Sequence, residues 1–420
     1  MQTNQTILGN GLRVITLETP QTETVSLGLW VNTGSAYETE DVNGVSHMVE
    51  HMVFKGSQKR NALQISEDIE NVGGHSNAYT SREFTAYYAK MLKEDIELAI
   101  DVIADFIVAP TFPEDEFVKE KEVIVQEIKQ SVDTPDDVIF DYFQEKAFQN
   151  QPLGRTILGP EDKVRAYTSQ TLRDYMATHY SAQNMVAVAV GNLKHENFVK
   201  MVQDRLEQYQ AEAHFEIEPM NYTGGCYIKN RKIEQSHVLL GFKSVEYKNK
   251  MYYPVSLFST LFGGGMSSRL FQEIREKRGL VYTVYSFMNS HTQNGLFGIY
   301  AGADAQELQN LMPVISDEIK KVVQEKVSEK ELQRAKTQLK ASMLMALESS
   351  SSTSEVIARQ MLIHNRVIDP QEIVESLEAV TQEDIQKAAQ MLFSTTPTYA
   401  LLGDLQTYPD YETVSKSLKF

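Results

Sequence analysis

The apolar and polar positions alternate between two periods along the chain. Gln5 to Glu18 reads as a strand, a Gly9-Asn10-Gly11 turn and a second strand over Leu12 to Leu17, and Val25 to Val31 is a further β-leaning run. Val45, Met48, Val49, Met52 and Val53 recur at helical spacing before Gly56 and predict a short buried helix. Asn61 to Val72 reads as a helix closed by Gly73-Gly74, and the aromatic and Thr-rich runs Asn77 to Glu83 and Phe84 to Met91 favour strands. Asp95 to Val108 has a 3.6 period, Pro113 to Val132 predicts a long charged-apolar helix, and Met185 to Val190 predicts a strand closing on Gly191. Ser349 to Thr353 reads as a polar break between helices, and Met343, Met345 and Met361 fall at core-like positions.

The pattern then repeats. His237 to Phe242 echoes Val25 to Leu29 through Gly241 and Gly28, and Tyr399 to Leu405 echoes Val188 to Leu193 through Gly403 and Gly191. The glycine offsets are 241 − 28 = 213 and 403 − 191 = 212, which argues for tandem duplication of an α+β domain. The expected division is a first domain over 1–212, a linker over 213–225 and a second domain over 226–420.

The chain has 420 residues, 42 % apolar and 23 % charged, too long for one ordinary core. No apolar run reaches membrane-spanning length, and the single cysteine, Cys226, excludes an internal disulfide framework. The start, Met1-Gln2-Thr3-Asn4-Gln5, lacks the regions of a signal peptide, so a bacterial cytoplasmic protein is expected, with a mature mitochondrial matrix form as the alternative. A net charge of −17 argues against nucleic acid. The same charge suits basic substrates and also plain solubility.

The predicted helix over 45–53 carries chemistry. His47 and His51 are i and i+4 on one face, and Glu50 lies beside them. Two imidazoles one turn apart can seat a zinc ion, and the adjacent carboxylate can take a proton from water. This H-x-x-E-H order inverts the H-E-x-x-H motif. A catalytic zinc needs a third protein ligand. On the long helix Glu120 and Glu127 are seven apart and share a face with Val123 and Ile124. A carboxylate there meets solvent or a cationic partner, of which a metal is one.

His47-Met48-Val49-Glu50-His51, followed after 127 − 51 = 76 residues by Glu127, resembles the pitrilysin-type (M16) family of inverted-motif zinc peptidases, in the branch of mitochondrial processing peptidase and its small bacterial relatives. The similarity extends through Phe54-Lys55-Gly56, Gly74, Asn77 to Ser81, Gly154, Leu158-Gly159 and Gly263 to Leu270, with no departure at the metal positions. It implies two homologous domains, each an antiparallel-rich sheet with helices on one face, forming half of a clamshell chamber. It implies one zinc per chain on His47, His51 and Glu127, Glu50 as general base, and Glu120 orienting a ligand. Arg275 and Tyr282 resemble a pair reaching the substrate from the second domain. Asn77 and Ala78 resemble a strand edge for an extended peptide. Phe54 resembles a substrate-pocket residue, plain core packing being equally open. A zinc endopeptidase acting on unfolded or presequence-like peptides, as a homodimer, is the expectation. A catalytic subunit needing a distinct partner is a second reading. A non-catalytic assembly subunit is a third, which the intact metal set opposes.

Overall fold

The computed structural model describes residues 2–210, 212 and 217–419. Eleven strands are present among the described residues: β1 Asn4–Ile7, β2 Arg13–Glu18, β3 Thr24–Val31, β4 His75–Thr80, β5 Thr85–Leu92, β6 Met185–Gly191, β7 Gly225–Asn230, β8 Ser236–Ser244, β9 Thr283–Ser290, β10 Gly295–Ala303 and β11 Thr398–Gly403. They form two sheets, in the orders β1-β2-β6-β3-β5-β4 and β7-β11-β8-β10-β9. Without β1, the strand orders are the same. In each, one parallel pair (β2 with β6, β7 with β11) joins an otherwise antiparallel ladder.

The repeat carries one register shift. Val25 pairs with Gly191, so offsets of 213 and 212 would bring Val238 opposite Gly403; it pairs with Leu401 instead. A slip of two residues keeps every side chain on its own face, so the core pattern survives it.

A single cut in the linker does not describe the packing. One compact unit comprises residues 1–130, 155–218 and 344–369, and the other 131–154, 219–343 and 370–420. Linker residues 213–216 lie outside the described residues, and Gly225 already opens β7. The physical reason lies in the sheets, which are apolar on both faces. In the first unit the main core holds the helices Val45–Val53, Ile96–Val108 and His195–Leu206. The opposite face, with Ile15, Trp30, Val186 and Val188, is covered by Ile357, Ala358 and Met361 of the helix Ser350–His364. In the second unit the helix Pro135–Ala147 plays that part, with Phe140 5.6 Å from Phe287 and 5.7 Å from Tyr300 between ring centres.

Two local expectations are corrected. The break between helices is shorter and earlier than the serine run, covering 347–349: Ser349 caps Ser350–His364, the remaining serines are helical, and Ser351 Oγ lies 2.9 Å from Ser26 Oγ on β3. Small hydroxyls that pair with the sheet can pack closely where larger polar groups could not. Met361 is buried, but Met345 is 61 % exposed and Met343 only half-buried. No helix is long and apolar enough to cross a membrane among the described residues.

Candidate metal centre

The helix Val45–Val53 forms where its apolar stripe is buried: Val45, Met48, Val49, Met52 and Val53 all sit in the first unit's core. Burying that stripe turns the opposite face, with His47, Glu50 and His51, toward the helix Glu114–Asp133 and β4. The long helix is anchored by Phe117, Ile124 and Val125, which leaves Glu120 and Glu127 facing the two histidines.

His47 Nε2 and His51 Nε2 each lie 3.7 Å from Glu127 Oε2, and the three donor groups fall within 4.8 Å of one another. Tetrahedral donors about 2 Å from a shared zinc stand roughly 3.4 Å apart, so the spacing fits such an ion. His47 adds a second indication. Its Nδ1 is buried with no hydrogen-bond partner, and its Nε2 stands beyond hydrogen-bond reach of Glu127. With Nε2 making no hydrogen bond with Glu127, its lone pair is available to a ligand, and Nδ1 then carries the ring proton. Burial, with His51 alongside, pushes His47 down to about 3, so it is neutral and able to ligate at any moderate pH.

Glu120 and Lys55 complete the surroundings. His51 Nδ1 is 2.8 Å from Glu120 Oε1, and Lys55 Nζ is 2.8 Å from Glu120 Oε2. Burial opposes charge on Glu120, yet the hydrogen bonds from His51 and Lys55 outweigh it and hold the carboxyl below its ordinary value. An Nδ1–H donated to that carboxylate fixes the ring so that Nε2 presents its lone pair toward Glu127. For His51 itself burial disfavours charge, but Glu120, Glu127 and Glu50 together raise its pKa.

Glu50 is held differently. Thr80 Oγ1 donates to its Oε2 at 2.6 Å. Burial raises the Glu50 carboxyl despite that bond, the direction that suits a proton acceptor working near neutrality. Sequence reasoning assigned no part to Lys55 or Thr80. Both partners lie far away in sequence or on another element, and only the crossing of the two helices and β4 brings them in.

The remaining candidates are spread over both units. Asn77 and Ala78 lie on β4, the edge strand of the first sheet. Phe54 is partly buried, its ring 4.9 Å from that of Phe106 and 6.5 Å from that of Tyr87. In the second unit Arg275 lies over the Phe271 ring at 4.7 Å, and Tyr282, 65 % exposed, precedes β9 with its N–H bonded to Gly302 O.

The chain is similar to known peptidases over most of its length. A family model described as Insulinase (Peptidase family M16) matches residues 13–161, and one described as Peptidase M16 inactive domain matches residues 166–339. An uncharacterized zinc protease of Rickettsia felis is 38 % identical over 397 residues, covering 94 % of this chain and 96 % of that protein. One of Bacillus subtilis is 35 % identical over 401 residues, covering 95 % and 98 %. The mitochondrial-processing peptidase subunit beta of Mus musculus is 34 % identical over 434 residues, covering 100 % and 88 %. Among solved structures, a protease from Helicobacter pylori shares the fold with a TM-score of 0.89 at 22 % identity, over 96 % of this chain and 99 % of that one.

Proposed function

The chain belongs to the insulinase family of peptidases, M16, and is a zinc metallopeptidase; from that premise we propose that it is an endopeptidase with one zinc per chain, held by His47, His51 and Glu127. The observation that carries the proposal is the convergence of these three donors, with Glu120 behind His51 and Glu50 beside them. Zinc, when bound, supplies a Lewis acid that polarises the scissile carbonyl and acidifies water. Glu50, oriented by Thr80, accepts the proton of the attacking water and delivers it to the leaving amine. Glu120 holds the His51 ring in its ligating tautomer, and Lys55 keeps Glu120 ionised.

Substrate recognition extends the proposal. An extended peptide adds to the β4 edge at Asn77 and Ala78, since an edge strand offers unpaired backbone groups. Arg275 and Tyr282 are assigned to substrate binding by the family resemblance, a guanidinium and a phenol both being able to hydrogen-bond peptide carbonyls. Phe54 is assigned to packing behind the site rather than to a side-chain pocket, in view of its contacts with Phe106 and Tyr87. Unfolded oligopeptides, with basic residues favoured by the charge of −17, are the substrate class, taken up in a chamber closed by a second copy of the chain. The bacterial cytoplasm is the proposed location, in keeping with the Rickettsia and Bacillus relatives. A second reading has one observation in its favour: the mouse relative is named as a subunit, so this chain would need a different, non-catalytic partner.

The test is cleavage of a quenched fluorescent basic peptide by the chain purified alone, beside Glu50→Gln, with zinc quantified in both. One zinc in each, with turnover only in the wild type, supports the proposal. Zinc without turnover in either favours the partner reading, and no zinc overturns the assigned metal centre.

A further inference from the structure

The motif helix starts without a cap of its own. Gly44 stands at its N-terminus in the left-handed region, with φ +99°, and offers no side chain to the free N–H groups of the first turn. Those groups are satisfied from outside the helix. Glu38, fully buried in the preceding loop, accepts from Gly44 N at 2.7 Å and Asn43 Nδ2 at 3.0 Å through Oε2, and from Ser46 N at 2.8 Å through Oε1. Both carboxylate oxygens are thus engaged by donors at the positive end of the helix, which oppose the upward push of burial on the Glu38 carboxyl without cancelling it.

A second loop locks this arrangement. Arg155 Nη1 donates to Glu38 O at 2.6 Å, Asn43 Nδ2 also reaches Thr156 O at 2.9 Å, and Tyr167 Oη donates to Asn43 O at 2.5 Å. The loops cross so closely that a Cβ on Gly44 would lie 2.6 Å from Leu158 O, and one on Gly159 2.2 Å from Asn43 O. Both positions have positive φ, so glycine is required there on two counts. On the helix side, Ser46 Oγ is 2.7 Å from Tyr175 Oη, which in turn is 2.9 Å from Thr33 Oγ1. His47 follows Ser46 directly. The rotation and height of the helix at His47 are therefore set by the bonds to Gly44 and Ser46.

We propose that Glu38 is a positioning residue of the metal centre, acting through the backbone of Gly44 and Ser46 to hold His47 in register with His51 and Glu127. The inference rests on the reading of those three residues as zinc ligands. It assigns to a buried carboxylate outside the motif a part in zinc retention. Glutamine is the informative replacement because it keeps size and shape but gives only one acceptor oxygen and turns an NH2 toward groups that are themselves donors.

The test compares the purified wild type with Glu38→Gln by zinc affinity, measured in competition with a chromogenic chelator, and by amide hydrogen exchange of residues 44–47 in the zinc-free proteins. A loss of affinity on the order of 10–100-fold is expected, as for other groups that orient metal ligands, together with faster exchange confined to the first helical turn. Unchanged affinity and exchange in a folded variant would overturn the inference while leaving the metal centre intact. Wild type that binds no zinc would overturn the metal reading and this inference with it. Should Glu38→Gln not fold, Arg155→Lys, which loosens the carrying loop without placing a donor against donors, is expected to weaken zinc binding in the same direction, and zinc affinity equal to wild type would count against the inference.

Discussion

Thr80 Oγ1 lies 2.6 Å from Glu50 Oε2, so the edge strand β4 orients the proposed general base from outside the motif helix. A hydrogen bond to a charged group is worth roughly 1.5–3 kcal/mol, and each 1.4 kcal/mol in a barrier is about tenfold in rate. Thr80→Val is therefore expected to lower kcat by about 10- to 100-fold with zinc content unchanged, whereas Thr80→Ser keeps most of the activity. Steady-state kinetics on a fluorogenic peptide with parallel metal analysis decide it; a valine variant with wild-type kcat would remove Thr80 from the mechanism.

Lys55 acts one step further out. Its Nζ, 2.8 Å from Glu120 Oε2, is one of the two donors that hold that carboxyl below its ordinary value against burial. In Lys55→Met the carboxyl pKa rises, so Glu120 takes up a proton at higher pH and its grip on the His51 Nδ1–H weakens. Zinc loss on acidification should begin at a higher pH in the variant, and affinity at neutral pH should fall by about tenfold. A chelator competition series across pH checks both.

The motif helix, the long helix and the strand repeat were legible because each buries one apolar face, and burial imposes a period on the sequence. Of the proposed ligands, His47 and His51 followed from spacing on the motif helix, whereas Glu127 was singled out on the long helix by the family resemblance and not by its spacing from Glu120. What surrounds them was not legible. Thr80 and Lys55 find their partners across a strand and a helix crossing, for which a sequence has no periodic sign. The helix Ser350–His364 was hidden for another reason: its opening serines read as polar, yet Ser351 meets Ser26 and the apolar Ile357, Ala358 and Met361 cover the first sheet's second face. Nor does the glycine echo reveal the slip of two residues between β8 and β11, since a period of two is blind to it.

The echo does mark a tight contact. Gly241 on β8 faces the helix Pro135–Ala147 so closely that a Cβ would lie 2.2 Å from the Phe143 ring. Phe143 is buried and ring-packed against Phe287, so it cannot swing clear. Gly241→Ala is expected to destabilise the second unit by about 1–3 kcal/mol through overpacking. Combining it with Phe143→Leu should recover part of that loss, and a double-mutant cycle by urea unfolding measures the coupling. Additive losses would mean that the strand, not the ring, relieves the clash.

Glu331 provides a pH-dependent contribution to stability away from the metal. Arg269 grips it with two of its guanidinium nitrogens, Nε at 2.7 Å and Nη2 at 3.1 Å, while Ser328 donates its N–H at 2.9 Å and its hydroxyl at 2.6 Å. Burial would raise the carboxyl, but Arg269 and Ser328 prevail and hold it down at about 2, against an ordinary 4.5. A pKa depressed on folding means that the unfolded chain binds the proton first. The contribution is therefore complete above about 4.5 and is lost as pH falls from there toward about 2. Glu331→Gln keeps the shape but not the charge. It is expected to lower unfolding stability at pH 7, with the gap to wild type constant down to about pH 5 and narrowing below it. Urea unfolding of both proteins in zinc-free buffer between pH 7 and pH 4 separates this from the metal centre. A gap that widened on acidification would place the stabilising charge on some other group.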